Sequence, residues 1–344
     1  MIITKKNLIA LLDKLRDDGL CVKAPVKRQN SLEFHEIAST NEIEWNYINP
    51  HLSLKGSFLP RSEPLLEYHQ TKDAVETKQI LEENLRDTIL FGVRPCDTAS
   101  LEIMDKVYTW DYIDEYWTNR REHTYIIAVS CIECDEACFC IAMNLDPGST
   151  RGSDILLTPS NNDTYLVEVN SEKGQAIIDT YKDFFAEGKA DKSRILAPIR
   201  EKLGKPFDLE AIQPWLKENF YHDFWEHETL SCIGCGICTF VCPTCHCFDI
   251  VDEGTRFKGV RMKFWDACQF RTYTLHGSGH NPRSRQDERH RQRIEHKFNY
   301  YKSKFNETLC VGCGRCIRYC PVDLSILRLL TMINRMKEES RTEP

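Results

Sequence analysis

Eight of the 17 cysteines in this 344-residue chain fall in two copies of one run. The first is Cys232-x2-Cys235-x2-Cys238-x3-Cys242-Pro243. The second is Cys310-x2-Cys313-x2-Cys316-x3-Cys320-Pro321. Two-cluster bacterial ferredoxins hold a pair of [4Fe-4S] cubanes with this spacing. Three cysteines at two-residue intervals curl one loop around a cube, and the fourth ligates the other cube. The spacing therefore assigns Cys232, Cys235, Cys238 and Cys320 to cluster one. Cluster two takes Cys310, Cys313, Cys316 and Cys242. The proline after each fourth cysteine ends the local helix.

Other readings of these thiols fit less well. A zinc module pairs its ligands across a dozen or more residues. A disulfide framework belongs to an oxidising compartment and an even cysteine count. The start of the chain, Met1-Ile-Ile-Thr-Lys-Lys-Asn, carries no secretory apolar region. Cys238-x3-Cys242-x2-Cys245 also matches a radical-SAM triad, but the second copy has Asp323 at the corresponding last position. Many metal-holding thiols in an unexported chain imply a reducing cytoplasm.

Two further groups remain. Cys96, Cys131, Cys138 and Cys140 could hold a third cubane, with Cys134 as a spare or as a replacement for Cys131. Cys245, Cys247 and Cys268 lie in an insertion, residues 243–309, between the ferredoxin halves. Three thiolates are one short of a standard cluster, so a further cluster and plain structural thiols both stay open. Cys21 stands alone and reads as structural.

The elements that must position these residues are partly legible. Residues 3–18 read as an amphipathic helix with Leu8, Leu11, Leu12 and Leu15 on one face and Gly19 as its stop. Residues 32–37 look strand-like. Thr88–Val93 reads as a buried strand that breaks at Arg94-Pro95-Cys96-Asp97. A helix follows over 98–107 with Asp97 as its N-cap. A second buried strand over 125–130 ends in Cys131. Both Cys96 and Cys131 thus fall past the C-terminal ends of expected parallel strands, where open α/β sheets bind ligands. A hairpin is expected around 161–163, and helices over 171–187, 190–203 and 208–219. The expected division is an α/β domain over 1–224, a mainly helical two-cluster ferredoxin-like module over 225–335, and a polar tail over 336–344.

No catalytic apparatus stands out. Gly277-Ser-Gly279-His-Asn-Pro282 lacks both the third glycine and the preceding strand of a dinucleotide loop. Walker lysine, nucleophile elbow and zincin helix are absent from the sequence. Trp225 and Trp265 read as packing residues. The apolar runs are too short to span a bilayer. The net charge of −7 is unevenly spread: residues 256–304 hold 13 Lys and Arg against 4 Asp and Glu. That stretch is a solvated face, a docking surface, or a path lined for an anionic cofactor. No nucleic-acid reader motif accompanies it.

Several short motifs together resemble a known family. They are Phe91-Gly-Val-Arg-Pro-Cys-Asp97, Cys138-Phe-Cys140 with Met143, and Cys242-Pro-Thr-Cys-His-Cys-Phe-Asp249. To these are added Trp265-Asp-Ala-Cys268, Arg289-His-Arg-Gln-Arg293 with His296-Lys297, and Cys310-Val-Gly-Cys-Gly-Arg-Cys316. Over residues 85–330 the chain resembles the iron–sulfur β subunits of cytoplasmic NAD(P)-linked sulfhydrogenases, a group related to the corresponding component of anaerobic sulfite reductase. It departs from them at Met143-Asn-Leu-Asp-Pro147, where Gly-Thr-Gly is usual, and at Cys134. The resemblance implies an electron-transfer subunit of an anaerobic, cytoplasmic multi-subunit oxidoreductase. Electrons would pass between a flavoprotein that binds NAD(P)H and a catalytic subunit of hydrogenase, sulfite-reductase or heterodisulfide-reductase type. The alternative is an enzyme subunit whose own open iron site binds substrate.

Overall fold

The computed structural model describes residues 1–81, 85–161 and 163–342, with side chains described as far as Glu339. Asn162, in the expected hairpin turn, lies outside the described residues, as do the last two residues of the expected tail. The described strands are β1 (Ile2–Thr4), β2 (Cys21–Arg28), β3 (Ser31–Glu36), β4 (Ser62–Gln70), β5 (Val75–Gln79), β6 (Thr88–Val93), β7 (Thr124–Val129), β8 (Ile155–Asn161), β9 (Thr164–Val169), β10 (Phe248–Gly254) and β11 (Lys258–Trp265). Together with the helices they make an α+β chain with a helical C-terminal iron–sulfur region.

Seven strands form one sheet in the order β1-β9-β8-β7-β6-β2-β3. Its centre, β2-β6-β7-β8, is parallel, and its margins are antiparallel. Parallel strands are covered on both faces, which is why β6 and β7 read as continuous apolar runs. On one face sits the helix Lys5–Asp17 through Leu8, Leu11, Leu12 and Leu15, all buried. Thr4 caps it by accepting from the Asn7 amide. On the other face pack Leu101, Met104 and Tyr108 of the helix Pro95–Thr109, together with Trp117. Strand β2 escaped sequence reading because Pro25 interrupts it. Its pairing with β6 covers only Cys21, Val22 and Lys23, so Pro25 lies past the doubly paired part.

A second, antiparallel sheet has the order β10-β11-β4-β5. Here the insertion between the ferredoxin halves supplies a hairpin, β10–β11, and β11 pairs with β4 from the N-terminal part. Segments on either side of residue 225 therefore share one sheet. The C-terminal core joins Trp215, Trp225, Phe298, Leu329, Leu330 and Ile333 from several helices. Trp225 is a packing residue, as expected.

Two expectations need correction. Asp97 is not an N-cap: the helix starts at Pro95, its cap is Arg94, and Asp97 lies inside the first turn, fully buried. Proline fits the first helical position because that amide has no intrahelical partner. The C-terminal stretch expected as a tail is helical as far as Thr342, continuous with the helix Ile326–Thr342. Its Lys337 is tied to Glu218 at 2.7 Å.

Candidate iron–sulfur sites

The parallel strands β6 and β7 end side by side. Cys96 follows β6 in the first helical turn, and Cys131 follows β7. Arg94 locks the two strand ends by donating to the carbonyls of Ile48 at 2.9 Å and Ser130 at 3.2 Å. The loop carrying Cys138 and Cys140 closes the crevice. Cys96, Cys131, Cys134, Cys138 and Cys140 line one small pocket together with Cys313 of the second ferredoxin run. Burial pushes the Cys138 thiol up to about 12, and that of Cys140 higher still. Bare thiols there stay protonated at neutral pH; iron must displace the proton. Cys131 adds charge repulsion at both Cys96 and Cys140. Cys134 also packs on Leu196 and Ile199, a cluster that Cys131 and Cys138 touch as well.

The loop after Cys310 is pressed against this crevice. Phe139 donates its amide to the Gly312 carbonyl at 2.9 Å. A Cβ on Gly312 would sit 2.6 Å from the backbone of Phe139 and Cys140, and one on Gly314 would sit 2.5 Å from the Ala137 carbonyl. Both glycines have positive φ, 63° and 77°. Arg318 reaches back to Asp135 and donates to Cys138 Sγ at 3.1 Å. Arg315 forms a fork with Asp97 at 2.6 and 2.7 Å, both side chains fully buried.

The ferredoxin thiols face one another as follows. Burial pushes Cys310 and Cys313 up to about 12 and about 11, and the neighbouring charges include Cys242 and Cys316 in both cases. Cys238 is pushed up to about 11 by burial, with Cys316, Cys268 and Cys232 nearby. The short helices Ile237–Phe240 and Arg315–Arg318 pack together, which brings the two third cysteines close. Cys320 Sγ accepts from the Leu324 amide at 3.2 Å. Cys232 Sγ accepts from Gln286 at 3.3 Å.

The third group is also drawn together. The pairing of Phe248 with Trp265 puts Cys247 and Cys268 at the same end of the hairpin. Their thiols are hydrogen-bonded, which raises Cys247 and lowers Cys268. Cys245 is hydrogen-bonded to Cys242 and feels the charge of Cys247. Cys21 is buried at the start of β2, apart from these groups.

The basic stretch divides in two. Arg256, Arg261, Arg271 and Arg285 are exposed, whereas Arg289, Arg293 and Lys297 are buried. A uniform docking face over Arg289, Arg291 and Arg293 is therefore excluded, since Arg291 lies over the Phe220 ring at 4.1 Å and its neighbours point inward. Lys297 sits in a π-helical turn, His296–Tyr300, and donates to Cys242 Sγ at 3.3 Å. Arg293 is 3% exposed, and two of its guanidinium nitrogens, Nε and Nη2, have no hydrogen-bond partner among the described residues. The thiols around it include Cys238, Cys316, Cys245 and Cys242. A buried cation without an anion is costly. An anionic cluster held by four thiolates between these cations would supply one, so the residues present fit iron–sulfur groups. Among the described residues no three His, Cys, Asp or Glu side chains close on a point as for a single ion. A cubane takes one thiolate per iron and does not require that closure.

The sequence did not single out Lys55, Arg315 or Arg318. A signal existed for the last two. They occupy the positions of Ile237 and Phe240 in the other copy, and a mismatch between repeats marks a difference in surroundings.

No helix among the described residues is long and apolar enough to cross a membrane. The family model for a 4Fe-4S dicluster domain matches residues 231–324. The chain is similar to the sulfhydrogenase 2 β subunit of Pyrococcus furiosus, with 32% identity over 325 residues, 92% of this chain and 93% of that protein. No solved structure matches significantly. Near-complete mutual coverage at this identity, together with the paired cysteine runs, shows that the chain belongs to the sulfhydrogenase β-subunit family of iron–sulfur electron-transfer proteins.

Proposed function

We propose that this chain is a three-cluster relay in a cytoplasmic oxidoreductase complex, passing electrons between a flavoprotein that binds NAD(P)H and a catalytic subunit of hydrogenase type. The observation that carries it is the placement of Cys313. It belongs to the second ferredoxin run, yet it lines the crevice of Cys96, Cys131, Cys138 and Cys140. A third cluster would then lie against cluster two, and Cys238 beside Cys316 would put cluster two against cluster one.

In this reading Cys96, Cys131, Cys138 and Cys140 hold the third cubane. Cys131 is preferred to Cys134 because it directly follows β7, the strand paired with β6, whose end carries Cys96. Cluster two takes Cys310, Cys313, Cys316 and Cys242; cluster one takes Cys232, Cys235, Cys238 and Cys320. The cubanes, when bound, supply reversible one-electron chemistry. The chain supplies thiolates, burial and cations, and these set each potential within a range of about −700 to +450 mV. Cys235 is exposed, so cluster one would be the port to a neighbouring subunit.

The test is a Cys138→Ala, Cys140→Ala double variant, purified anaerobically with its partner subunits. It should lose about four irons and four sulfides per chain, retain the ferredoxin-pair spectra, and stop NAD(P)H-driven turnover. Unchanged iron content, or zinc without sulfide in the parent, would refute the relay.

A further inference from the structure

Three thiols remain that the relay does not use. Cys245, Cys247 and Cys268 come from the chain just after the first ferredoxin run and from both ends of the β10–β11 hairpin. We infer that they hold a further iron–sulfur group, a cubane with three protein thiolates and one iron left without a cysteine.

The hairpin fixes the geometry. The Asp266 amide donates to the Cys247 carbonyl at 3.0 Å, closing the mouth of the hairpin so that Cys247 and Cys268 face each other. The Cys245 backbone is held from the other side. Its carbonyl accepts from Lys55 Nζ at 2.9 Å, and that ammonium also reaches the Thr239 carbonyl at 3.4 Å.

Lys55 is the independent observation. It comes from a distant part of the chain, is 4% exposed, and lies 4.0 Å over the Trp265 ring. No carboxylate pairs with it among the described residues; burial works against its charge, and the thiols around it are Cys245, Cys242 and Cys247. Taking an ammonium out of water costs several kcal/mol unless an anion meets it. Two backbone carbonyls and a ring face soften that cost, but they do not supply a charge. Arg293, with two buried nitrogens unpartnered, has Cys245 among its neighbours as well. Lys297 is already engaged with Cys242, a thiol of cluster two. Lys55 keeps its charge only where anions meet it, and beside Cys242 of cluster two the other thiols next to it, Cys245 and Cys247, are the spare ones.

Thiolate chemistry narrows the occupant. Three sulfur donors suit soft metals and iron–sulfur groups, whereas oxygen-seeking ions would want carboxylates. His246 lies between Cys245 and Cys247. Its Nδ1 engages the Thr244 carbonyl at 3.1 Å, and its ring packs on the edge of His296. Tyr273 is hydrogen-bonded to Cys247.

The experiment uses the full-length chain, anaerobically purified with its partners. A Cys245→Ala, Cys247→Ala, Cys268→Ala variant should lose about four irons and four sulfides relative to the parent, while the electron-paramagnetic signals of the ferredoxin pair persist. Equal metal and sulfide content would overturn the assignment, as would zinc at these thiols. Should the triple variant fail to fold, alkylation of the parent decides. Half-buried Cys247 and Cys268 should resist iodoacetamide while the clusters are in place and react after iron is chelated. Rapid labelling of either thiol in the loaded protein would overturn the site. Failure here leaves the relay intact, because its own test removes Cys138 and Cys140.

Discussion

The two ferredoxin runs share spacing and backbone yet face opposite surroundings. Gly234 and Gly236 have φ of 68° and 75°, close to the 63° and 77° of Gly312 and Gly314. The loops are thus built alike. In the first, Leu230 is 81% exposed and Ile233 65%, and Cys235 is exposed. In the second, Val311 and Cys313 are buried, and the loop rests on the Cys138–Cys140 crevice. Repetition specifies the ligand loop; the residues between the cysteines specify what the loop touches. Ile237 is replaced by Arg315, and Phe240 by Arg318, which turns a solvent-facing half into an inward-facing one.

The largest expected effect tests that inward anchor. Arg315→Ala strips Asp97 of its fork and leaves a carboxylate at 0% exposure. Removing one member of a buried pair costs about 3–5 kcal/mol. Denaturant unfolding of the loaded protein should show a loss of that size. Ile237→Ala, at the matching position of the outward half, should cost much less. Equal losses would break the comparison.

A second test keeps the chemistry and changes only contact. Gly312→Ala and Gly234→Ala both place a side chain at positive φ, a strain of about 1–2 kcal/mol. They differ in what the new methyl meets. At 312 it is the Phe139–Cys140 backbone at 2.6 Å, which cannot yield; at 234 it is the end of the Gln286 side chain at 2.8 Å, which can. Gly312→Ala should therefore also lose the iron of the Cys96–Cys140 crevice. Gly234→Ala should keep it. Iron analysis and spectra of the two variants separate the outcomes.

These contrasts show how far the sequence could be read. The ligand loops, the strands β6 and β7, and the helix bearing Leu8 to Leu15 were legible, because cysteine spacing and apolar runs are local signals. The β10–β11 hairpin was not. Its outer strand β10 is exposed throughout and rich in Asp and Glu, so it has no period-two apolar face to announce it. Asp97 was misplaced as a cap because Pro95 already marks the helix start, a local signal passed over, but its burial was hidden for a related reason. Its partner Arg315 lies 218 residues away, and no local rule anticipates a partner at that range. The burial of Arg289, Arg293 and Lys297 was likewise hidden, since charge alone does not tell a solvated face from a cluster's lining.

Lys297 offers a finer test. It donates to Cys242 and feels Cys310, both assigned to cluster two, and Cys245 beside them. Lys297→Met should remove a positive charge there at similar volume. A less positive environment disfavours the reduced, more negative cube, so the cluster-two potential should fall by tens of millivolts. About 59 mV is a tenfold change in a one-electron equilibrium. Cluster one should move less. A redox titration followed by electron paramagnetic resonance reads both, and equal shifts would mean that Lys297 does not distinguish the halves.

The smallest effect on the chain itself is expected at the outward loop. Leu230 and Ile233 are large apolar side chains left in water beside exposed Cys235, a proposed ligand of cluster one. Replacing both with Ser removes no buried contact, so stability should change within about 0.5 kcal/mol, and iron content should stay constant. If a partner subunit covers this loop, each side chain would contribute about 1.5–3 kcal/mol when fully buried there. The double variant should then bind its electron partner at least about tenfold more weakly, since about 1.4 kcal/mol is a factor of ten. Because the lost contact is apolar, the deficit should persist as salt rises, unlike one arising from exposed charges, which is screened within about 8 Å at physiological ionic strength. Surface-immobilised binding measured at two ionic strengths decides it. Unchanged affinity at both would remove the outward half from the partner interface, and the contrast between the two runs would then be one of burial alone.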